Sequence, residues 1–263
     1  MRENTALRAW RNGKTTIGGW LQLANAHTAE SLAALGFDWL CIDMQHGLID
    51  YSDLTYMLPA ISTGHSIPLV RVPWNEPYEI MKALDAGAYG VIVPMVNNRA
   101  EAEQAIQACR YPPDGLRSFG PIRAAQYGGT GYADEANGEI ACIAMIETRE
   151  ALDNLEEIIS TPGLDAVYIG PSDLALALGL RPVGDFDEPT HIEAVNRIFE
   201  TCRAHNVATG IHTSAMKYTQ RYVEQGFQFV TLGADSGWMA RSAFKDLREI
   251  RDTAGANLES TGY

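Results

Sequence analysis

The stretch Gly170-Pro171-Ser172-Asp173-Leu174 follows a short apolar segment, residues 166–169, which has the composition of a buried strand. An earlier apolar segment, residues 140–146, ends at a second carboxylate, Glu147. The residues between the two segments place apolar side chains on one helical face: Ala151, Leu152, Leu155, Ile158 and Ile159. This pattern predicts a strand–helix–strand unit in which the two strands are parallel and adjacent.

Glu147 and Asp173 would then lie side by side at the C-terminal ends of neighbouring strands, where the active sites of α/β proteins are built. Two carboxylates at such a place repel each other unless positive charge lies between them, and a hard divalent cation suits that position. A structural alternative is that Asp173 caps the helix that follows it and Glu147 lies in the first turn of its own helix. The spacing alone leaves both interpretations open.

The composition of the chain is that of one large α/β domain. Its 263 residues are 46% hydrophobic, which is enough to bury a sizeable core, and they show no break in composition. We predict a single domain over residues 1–253 and a disordered tail over residues 254–263. The cysteines lie far apart in apolar segments, as reduced core thiols do: Cys41, Cys109, Cys142 and Cys202.

Charge and hydropathy argue against several classes of partner. The net charge of −13 disfavours binding to nucleic acid, and no apolar segment is long enough to cross a membrane. Residues 1–14 are polar and charged, without the apolar core of a secretory signal. These features predict a cytoplasmic enzyme that acts on small molecules, with neither nucleic acid nor a membrane as partner.

Strands and helices alternate eight times along the chain. The predicted strands are residues 16–23, 39–44, 68–72, 90–96, 140–146, 166–169, 207–211 and 229–232. Such alternation predicts a parallel sheet, and eight repeats in this length fit a (β/α)8 TIM barrel. A doubly wound open sheet is the alternative. It is weaker because no Gly-x-Gly-x-x-Gly follows the first strand and the chain has no P-loop.

The predicted C-terminal strand ends carry the chemically useful side chains. These are Trp20, Gln22, Asp43, His46, Arg71, Glu147, Asp173, His212 and Asp235. Asp43 can fix the tautomer of His46 and raise its basicity, so this pair is a candidate for proton transfer. A histidine bonded to loop backbone is the structural alternative. His212 and Asp235 are equally well explained as hydrogen-bonding residues at the end of the barrel.

Arg71 lies within an apolar strand, where a charge is costly unless it is paired or lies at an open end. One interpretation is a structural ion pair with Asp43 or with Asp85, which precedes the fourth strand. The other is a clamp for a carboxylate or a developing oxyanion. The two interpretations are compatible.

Lysine is missing from the predicted strand ends, although a barrel aldolase that works through a Schiff base needs one there. The chain has only four lysines: Lys14, Lys82, Lys217 and Lys245. Activation of a carbonyl group should therefore come from a metal ion.

Residues 115–138 interrupt the alternation with a long, glycine-rich connection. A connection of that length in a compact domain is typical of a functional or mobile loop. Its Arg117 and Arg123 predict a flap that places cationic groups over an acidic substrate. The alternative is a solvated surface segment.

The motifs together resemble the HpcH/HpaI family of class II, metal-dependent pyruvate aldolases over about residues 5–253. The resemblance rests on Gly19-Trp20-Leu21-Gln22, Asp43-x-x-His46-Gly47, Val70-Arg71-Val72-Pro73, Leu84-Asp85-x-Gly87-Ala88-x-Gly90, Val93-Pro94, Gly115-x-Arg117-Ser118-x-Gly120, Ile146-Glu147 and Gly170-Pro171-x-Asp173-Leu174. Each motif alone is weak, but the set is specific. It implies a (β/α)8 barrel that reversibly cleaves 4-hydroxy-2-oxo acids into pyruvate, or a related 2-oxo acid, and an aldehyde.

The resemblance also implies roles for individual residues. Glu147 and Asp173 would hold a divalent metal (Mg, Mn or Co), and Arg71 would contact the pyruvate oxygens. Proton transfer would involve three residues: His46, Asp43 and Asp85. The other expected substrate contacts are Trp20, Gln22, Gly170, Pro171, Ser172, Arg117 and Arg123. The last helix would be exchanged between subunits of a homohexamer built as a dimer of trimers.

Two positions depart from the family pattern, since Gln45 stands where a glutamate is typical and Met145 where many members have glutamine. Both are expected near the site, so they bear on acceptor preference or on the properties of the metal. Other functions to weigh are a citrate-lyase-β or malyl-CoA type lyase, an oxaloacetate decarboxylase, and a non-catalytic barrel that binds acidic sugars. No extra domain or basic patch for a CoA tail is evident, and the set of acid, base and cation positions disfavours the last.

Overall fold

The computed structural model describes residues 1–182 and 187–253, and its strands close into a barrel. They are β1 (Thr16–Leu21), β2 (Trp39–Asp43), β3 (Ile67–Arg71), β4 (Gly90–Val93), β5 (Ala141–Ile146), β6 (Ala166–Ile169), β7 (Ala208–Ile211) and β8 (Phe229–Ala234). Each strand pairs in parallel with the next, and β8 pairs with β1. The predicted (β/α)8 barrel is confirmed, and the open-sheet alternative is wrong.

A helix follows every strand, and several of the helices begin at a residue whose side chain caps them. In chain order the helices are α1 (Thr5–Arg11), α2 (Ala26–Ala33), α3 (Tyr51–Ile61), α4 (Pro77–Asp85), α5 (Arg99–Cys109), α6 (Ile122–Gly128), α7 (Tyr132–Glu139), α8 (Arg149–Asp153), α9 (Leu155–Ile159), α10 (Pro171–Ala177), α11 (Pro189–His205), α12 (Met216–Gln225) and α13 (Asp235–Thr253). Side chains of five residues accept first-turn backbone N–H groups: Asn4, Asn25, Asp50, Asn98 and Thr148. None of the described helices is long and apolar enough to cross a membrane.

The barrel interior is filled with large side chains, among them Trp20, Trp39, Tyr168 and Phe229. The ring centroids of Trp39 and Phe229 are 4.4 Å apart, and those of Tyr168 and Phe229 are 4.9 Å apart. A second apolar layer lies between the strands and the surrounding helices. Because the interior is closely packed, polar side chains on the strands can meet solvent only at the two ends of the barrel.

Helix α1, which the sequence patterns did not predict, closes the N-terminal end of the barrel. The indole N–H of Trp10 donates to the hydroxyl of Thr16 at 2.7 Å, and its ring lies 4.5 Å from that of Phe229. Asn4 caps the helix and donates from its amide to the carbonyl oxygen of Tyr89 at 2.9 Å. Active-site chemistry in such a barrel is therefore left to the other end.

The connection over residues 115–138 folds into α6 and α7 at this same N-terminal end, which corrects the prediction of a flap over the substrate. The terminal ammonium group of Met1 pairs with Glu135 at 2.7 Å, and the N–H of Arg2 donates to the carbonyl of Gly128 at 2.8 Å. The physical reason is topological. A connection from a helix to the next strand lies at the end opposite the strand-to-helix loops that form barrel active sites.

Smaller differences concern element ends. The helix predicted after β5 is divided at Asn154 into α8 and α9, and the short helix α10 follows β6 before α11 begins. Helix α13 begins at Asp235, directly after β8. Residues 254–263, predicted as a disordered tail, lie outside the described residues.

Candidate active site

A cavity of about 160 Å³ opens at the C-terminal ends of the strands. It is lined by Trp20, Gln22, His46, Arg71, Met145, Glu147, Tyr168, Gly170, Pro171, Ser172, Asp173 and His212. The structure thus brings most of the predicted site residues to one place, although they come from six different strands or the loops after them. Tyr168 is an addition that was not predicted, because it stands inside the apolar segment of β6.

Arg71 is held rigidly by Asp43 on the neighbouring strand. The two residues are directly paired in the sheet register, and Nε and Nη2 of Arg71 donate to the two carboxylate oxygens of Asp43 at 2.8 and 2.6 Å. Trp20 donates from its indole to the same carboxylate at 3.1 Å. Nη1 of Arg71 makes no hydrogen bond within the described residues. It is therefore available to a ligand, so the predicted ion pair and the predicted clamp coexist.

The charges of this pair stabilise each other in spite of burial. Burial alone would raise the pKa of Asp43, but the hydrogen bonds and charge of Arg71 outweigh it and lower that pKa. Burial likewise opposes the charge of Arg71, and Asp43 raises the pKa of the guanidinium above its ordinary value. Both groups are therefore ionised at neutral pH.

Glu147 is a buried carboxylate that forms no ion pair with any residue that the structure describes. One oxygen accepts the backbone N–H of Met95 at 2.9 Å, and Met95 adopts a left-handed backbone with φ of 56° to present it. Burial raises the pKa of Glu147 to about 7, and the nearby charge of Asp173 adds to this effect. The other oxygen is close to Gly170, where an added Cβ would lie 2.2 Å from it. A larger residue at position 170 would therefore have to displace this carboxylate.

The donor set at Glu147 and Asp173 fits a hard divalent cation. Two carboxylates that converge on one cavity, one of them disfavoured as an anion by burial, gain from a positive ion between them. The described residues contain no group of three or more histidine, cysteine, aspartate or glutamate side chains that could hold a metal. A site of two carboxylates completed by substrate and water is typical of Mg²⁺.

His46 lies at the exposed rim of the cavity, on the loop after β2. Asp43 accepts the backbone N–H groups of Gln45 and His46 at 3.1 and 3.2 Å. Within the described residues no hydrogen bond joins the His46 ring to Asp43. The predicted role of Asp43 is corrected accordingly: it fixes the loop that carries His46, and it does not fix the tautomer of the ring. Gly47 permits this turn, since an added Cβ would lie 2.2 Å from the carbonyl oxygen of Asp43.

Asp85, Arg117 and Arg123 do not line the cavity, so within this chain Asp85 does not share a pocket with His46, and the two arginines do not lie over the substrate site. Asp85 is the last residue of α4, and it pairs with the buried Arg117 at 2.7 Å. Arg123 donates to the carbonyl of Ala86 and to a serine hydroxyl, Ser62. Helices between parallel strands run antiparallel to them, so the end of α4 lies at the end of the barrel opposite the cavity.

Asp235 and Ser236 position Gln22 and do not line the cavity. The buried carboxylate of Asp235 accepts the backbone N–H groups of Gln22 and Leu23 at 2.9 and 3.2 Å. The hydroxyl of Ser236 donates to the side-chain oxygen of Gln22 at 2.6 Å. The amide nitrogen of Gln22 is then the group left for a ligand.

The two departures from the family pattern differ in position. Met145 lines the cavity, and its methyl carbon would lie 2.9 Å from a Cβ added at Gly170. The side-chain oxygen of Gln45 is buried without a hydrogen-bond partner among the described residues. Met145 is therefore the departure that changes the polarity of the cavity wall.

Comparison with known proteins agrees with this geometry. A family model for HpcH/HpaI aldolase/citrate lyase matches residues 16–242. The hydroxypyruvate/pyruvate aldolase of Rhizorhabdus wittichii is 43% identical over 248 residues, which are 94% of this chain and 99% of the relative. The 4-hydroxy-2-oxo-heptane-1,7-dioate aldolase of Salmonella arizonae is 39% identical over 244 residues, 92% of each chain. The crystal structure of an HpcH/HpaI aldolase/citrate lyase family protein from Burkholderia cenocepacia J2315 superposes with a TM-score of 0.88 at 36% identity, covering 94% of this chain and 99% of that one.

Proposed function

This chain belongs to the HpcH/HpaI aldolase/citrate lyase family, and we propose that it reversibly cleaves 4-hydroxy-2-oxo acids into pyruvate, or a related 2-oxo acid, and an aldehyde. One observation carries this proposal: a single cavity unites a fixed cation, Arg71, with the carboxylate pair Glu147 and Asp173. That combination binds an anionic 2-oxo acid and stabilises the negative charge that develops on its keto oxygen. The identity of 43% to a hydroxypyruvate/pyruvate aldolase supports the same donor class.

Glu147 and Asp173 are the residues that would hold a divalent metal ion, with Mg, Mn or Co as candidates. Their hard oxygen atoms suit these ions, and the raised pKa of Glu147 fits a carboxylate made to be neutralised by a cation. When bound, such an ion supplies Lewis-acid polarisation of the substrate carbonyl.

Arg71 would bind the carboxylate and keto oxygens of the 2-oxo acid through Nη1. Because Asp43 accepts two hydrogen bonds from its guanidinium and is itself held by the indole N–H of Trp20, this donor does not need to reorganise as charge develops. His46 is the candidate base at the open rim. Its imidazole would take a proton from the methyl group of pyruvate in the condensation direction and return it in cleavage.

The positions of the lysines support a mechanism without a Schiff base. None of the four lysines lines the cavity, and Lys217 pairs instead with Asp187 at 3.0 Å on the surface. Borohydride reduction in the presence of pyruvate should therefore leave the mass of the protein unchanged. A stable adduct on any lysine would assign the enzyme to the other mechanistic class.

The decisive test is an aldol assay with pyruvate and a panel of aldehydes, before and after chelation. Activity should disappear in chelator and return with Mg, Mn or Co, and Glu147→Ala or Asp173→Ala should abolish the return. Oxaloacetate decarboxylation, which the same enolate chemistry permits, is measured in the same samples. Full aldol activity in metal-free protein would refute the metal-dependent mechanism.

Helix α13 supports assembly into a homohexamer with exchange of this helix. Of its residues only Asp235 is buried within the chain, and four large apolar side chains are exposed: Met239, Phe244, Leu247 and Ile250. An apolar face of this kind normally packs against another surface, and a second copy is the partner that the family resemblance implies. Deleting residues from Ser236 onward should break assembly in light scattering, whereas an active monomeric truncation would contradict the proposal.

A further inference from the structure

Tyr168 and His212 form a hydrogen-bonded pair in the wall of the cavity. The Tyr168 hydroxyl lies 3.3 Å from Nδ1 of His212 and also contacts the hydroxyl of Thr231. The indole of Trp20 stacks on Tyr168 with centroids 5.5 Å apart and meets the His212 ring edge-on at 4.9 Å. These contacts fix the orientation of the imidazole ring.

The second nitrogen of His212, Nε2, is free to meet a ligand. Nε2 makes no hydrogen bond among the described residues. It is also not one of the polar atoms that are buried without a partner, so it is accessible to a molecule in the cavity. Nδ1 of His212 faces Tyr168. Because His212 lines the cavity, the polar atom that this residue presents to a ligand is Nε2, on the other side of the ring.

His212 lies across the barrel from Arg71, although its strand β7 is the neighbour of β6, which leads to Asp173. In the closed strand order β7 is four strands from β3, so His212 at the end of β7 is opposite Arg71 at the end of β3. A 2-oxo acid held by Arg71, Glu147 and Asp173 leaves the side formed by β7 and β1 for the acceptor. That side carries His212 and the amide nitrogen of Gln22.

The acceptor side of the cavity is small and carries no net charge. Burial, with the charge of Arg71, lowers the pKa of His212 to about 4, so the imidazole is neutral at pH 7. Arg71 is the only lysine or arginine among the lining residues, and Asp43 pairs with it. The cavity of about 160 Å³ is small and opens to solvent at the end of the barrel.

We propose that His212, oriented by Tyr168, hydrogen-bonds a hydroxyl group of the acceptor aldehyde, so that the enzyme prefers short hydroxyaldehydes to their apolar isosteres. His212 is then a specificity-determining residue, and Tyr168 is its positioning residue. A neutral imidazole nitrogen suits an uncharged hydroxyl group, and leaving that nitrogen unpaired against an apolar acceptor is costly. This inference rests on the proposed aldolase function.

Two isosteric acceptors test the inference with pyruvate as donor: glycolaldehyde, which carries a hydroxyl group, and propanal, which carries a methyl group in its place. The metal-loaded wild-type enzyme should favour glycolaldehyde in kcat/KM by about tenfold or more. His212→Leu should bring the ratio to within about twofold of unity, whereas His212→Gln should retain part of the preference. Tyr168→Phe should lower the ratio chiefly through KM for glycolaldehyde. The control is His205→Gln, a histidine bonded to Glu156 on the surface, and it should leave the ratio unchanged.

Exchange of pyruvate methyl protons with deuterated water, measured without aldehyde, distinguishes a failure of the acceptor preference from a failure of the proposed aldolase function. Exchange should stay within about twofold of wild type in His212→Leu, because the acceptor side takes no part in it. An unchanged acceptor ratio in His212→Leu would overturn the inference while leaving the aldolase intact. If that variant does not fold, an unchanged ratio in both His212→Gln and Tyr168→Phe overturns it equally. Absence of exchange and of aldol product in the wild-type enzyme would refute the proposed function, and the inference with it.

Discussion

Gly170 is the position where one added methyl group should affect the site most. Its Cβ would lie 2.2 Å from the free oxygen of Glu147, so Gly170→Ala must displace that carboxylate. We expect the affinity for Mn²⁺, measured by calorimetry, to fall by at least the 10- to 100-fold typical of disturbed supporting contacts at a metal site.

The matched control for this change is Gly138→Ala in α7, where no atom lies within 4 Å of the added Cβ. It should leave Mn²⁺ affinity unchanged and raise stability by about 0.5–1 kcal/mol, the difference between alanine and glycine in a helix. Equal Mn²⁺ affinity in Gly170→Ala and in the wild type would remove Glu147 from the metal site.

His212 should make the folded protein sensitive to mild acid. Its pKa is about 4 in the folded chain against an ordinary value of 6.5, so between these values the unfolded state binds more protons. The free energy of unfolding should therefore fall as pH drops through this window, by about 3 kcal/mol from this residue. Urea unfolding at several pH values should show a weaker dependence in His212→Gln.

The control for this measurement is His27→Gln, since His27 is 87% exposed. The control should keep the pH dependence of the wild-type protein. Equal pH dependence in His212→Gln and in the wild type would show that the imidazole is not held neutral in the folded state.

The site residues that could be predicted are those at the C-terminal ends of strands. His46, Arg71, Glu147 and Asp173 stand at the ends of apolar segments, so the rule that barrel active sites lie at C-terminal strand ends found them. Asp85 was misplaced because it ends a helix, and helices run the other way. The pairing of Arg71 with Asp43 was one of two partners considered, and only the sheet register decides it.

At the scale of elements, α1 should contribute stability without touching the chemistry. Trp10 is 3% exposed and packs on Phe229 at the end of the barrel opposite the cavity. Trp10→Ala should lower the free energy of unfolding by about 3–5 kcal/mol in urea titration. In protein that remains folded, kcat should stay close to that of the wild type. A large loss of kcat in the folded variant would contradict the separation of the two ends.

The elements that escaped prediction share a physical cause. The eight strands are short apolar segments at regular spacing, so their existence and order followed from the pattern. Helix α1 is short and polar on its exposed face. Its buried residues, Ala6, Leu7 and Trp10, are stabilised only by packing against the end of the barrel, which the local sequence does not show. Helices α6 and α7 are likewise stabilised by contacts with residues distant in the chain, such as Met1 with Glu135.

At the scale of the whole molecule, the two ends of the barrel have different roles, stability and chemistry. The N-terminal end is closed by α1, α6 and α7 and supplies stability. The C-terminal end carries the cavity, the fixed cation and the carboxylate pair. This division is why a long, glycine-rich connection with two arginines could be mistaken for an active-site flap, although the topology places it at the other end.

The central claim is that one cavity generates an enolate from a 2-oxo acid by means of Arg71, the Glu147–Asp173 pair and a base at the rim. Proton NMR of pyruvate in deuterated water, with metal and without aldehyde, tests it most directly. The wild-type enzyme should exchange the methyl protons, and His46→Ala should slow the exchange by about 10²–10⁴-fold. Arg71→Ala should slow it by about 10²–10³-fold through loss of oxyanion stabilisation. Exchange at the wild-type rate in both variants would contradict the account, because neither the proposed base nor the proposed cation would then take part.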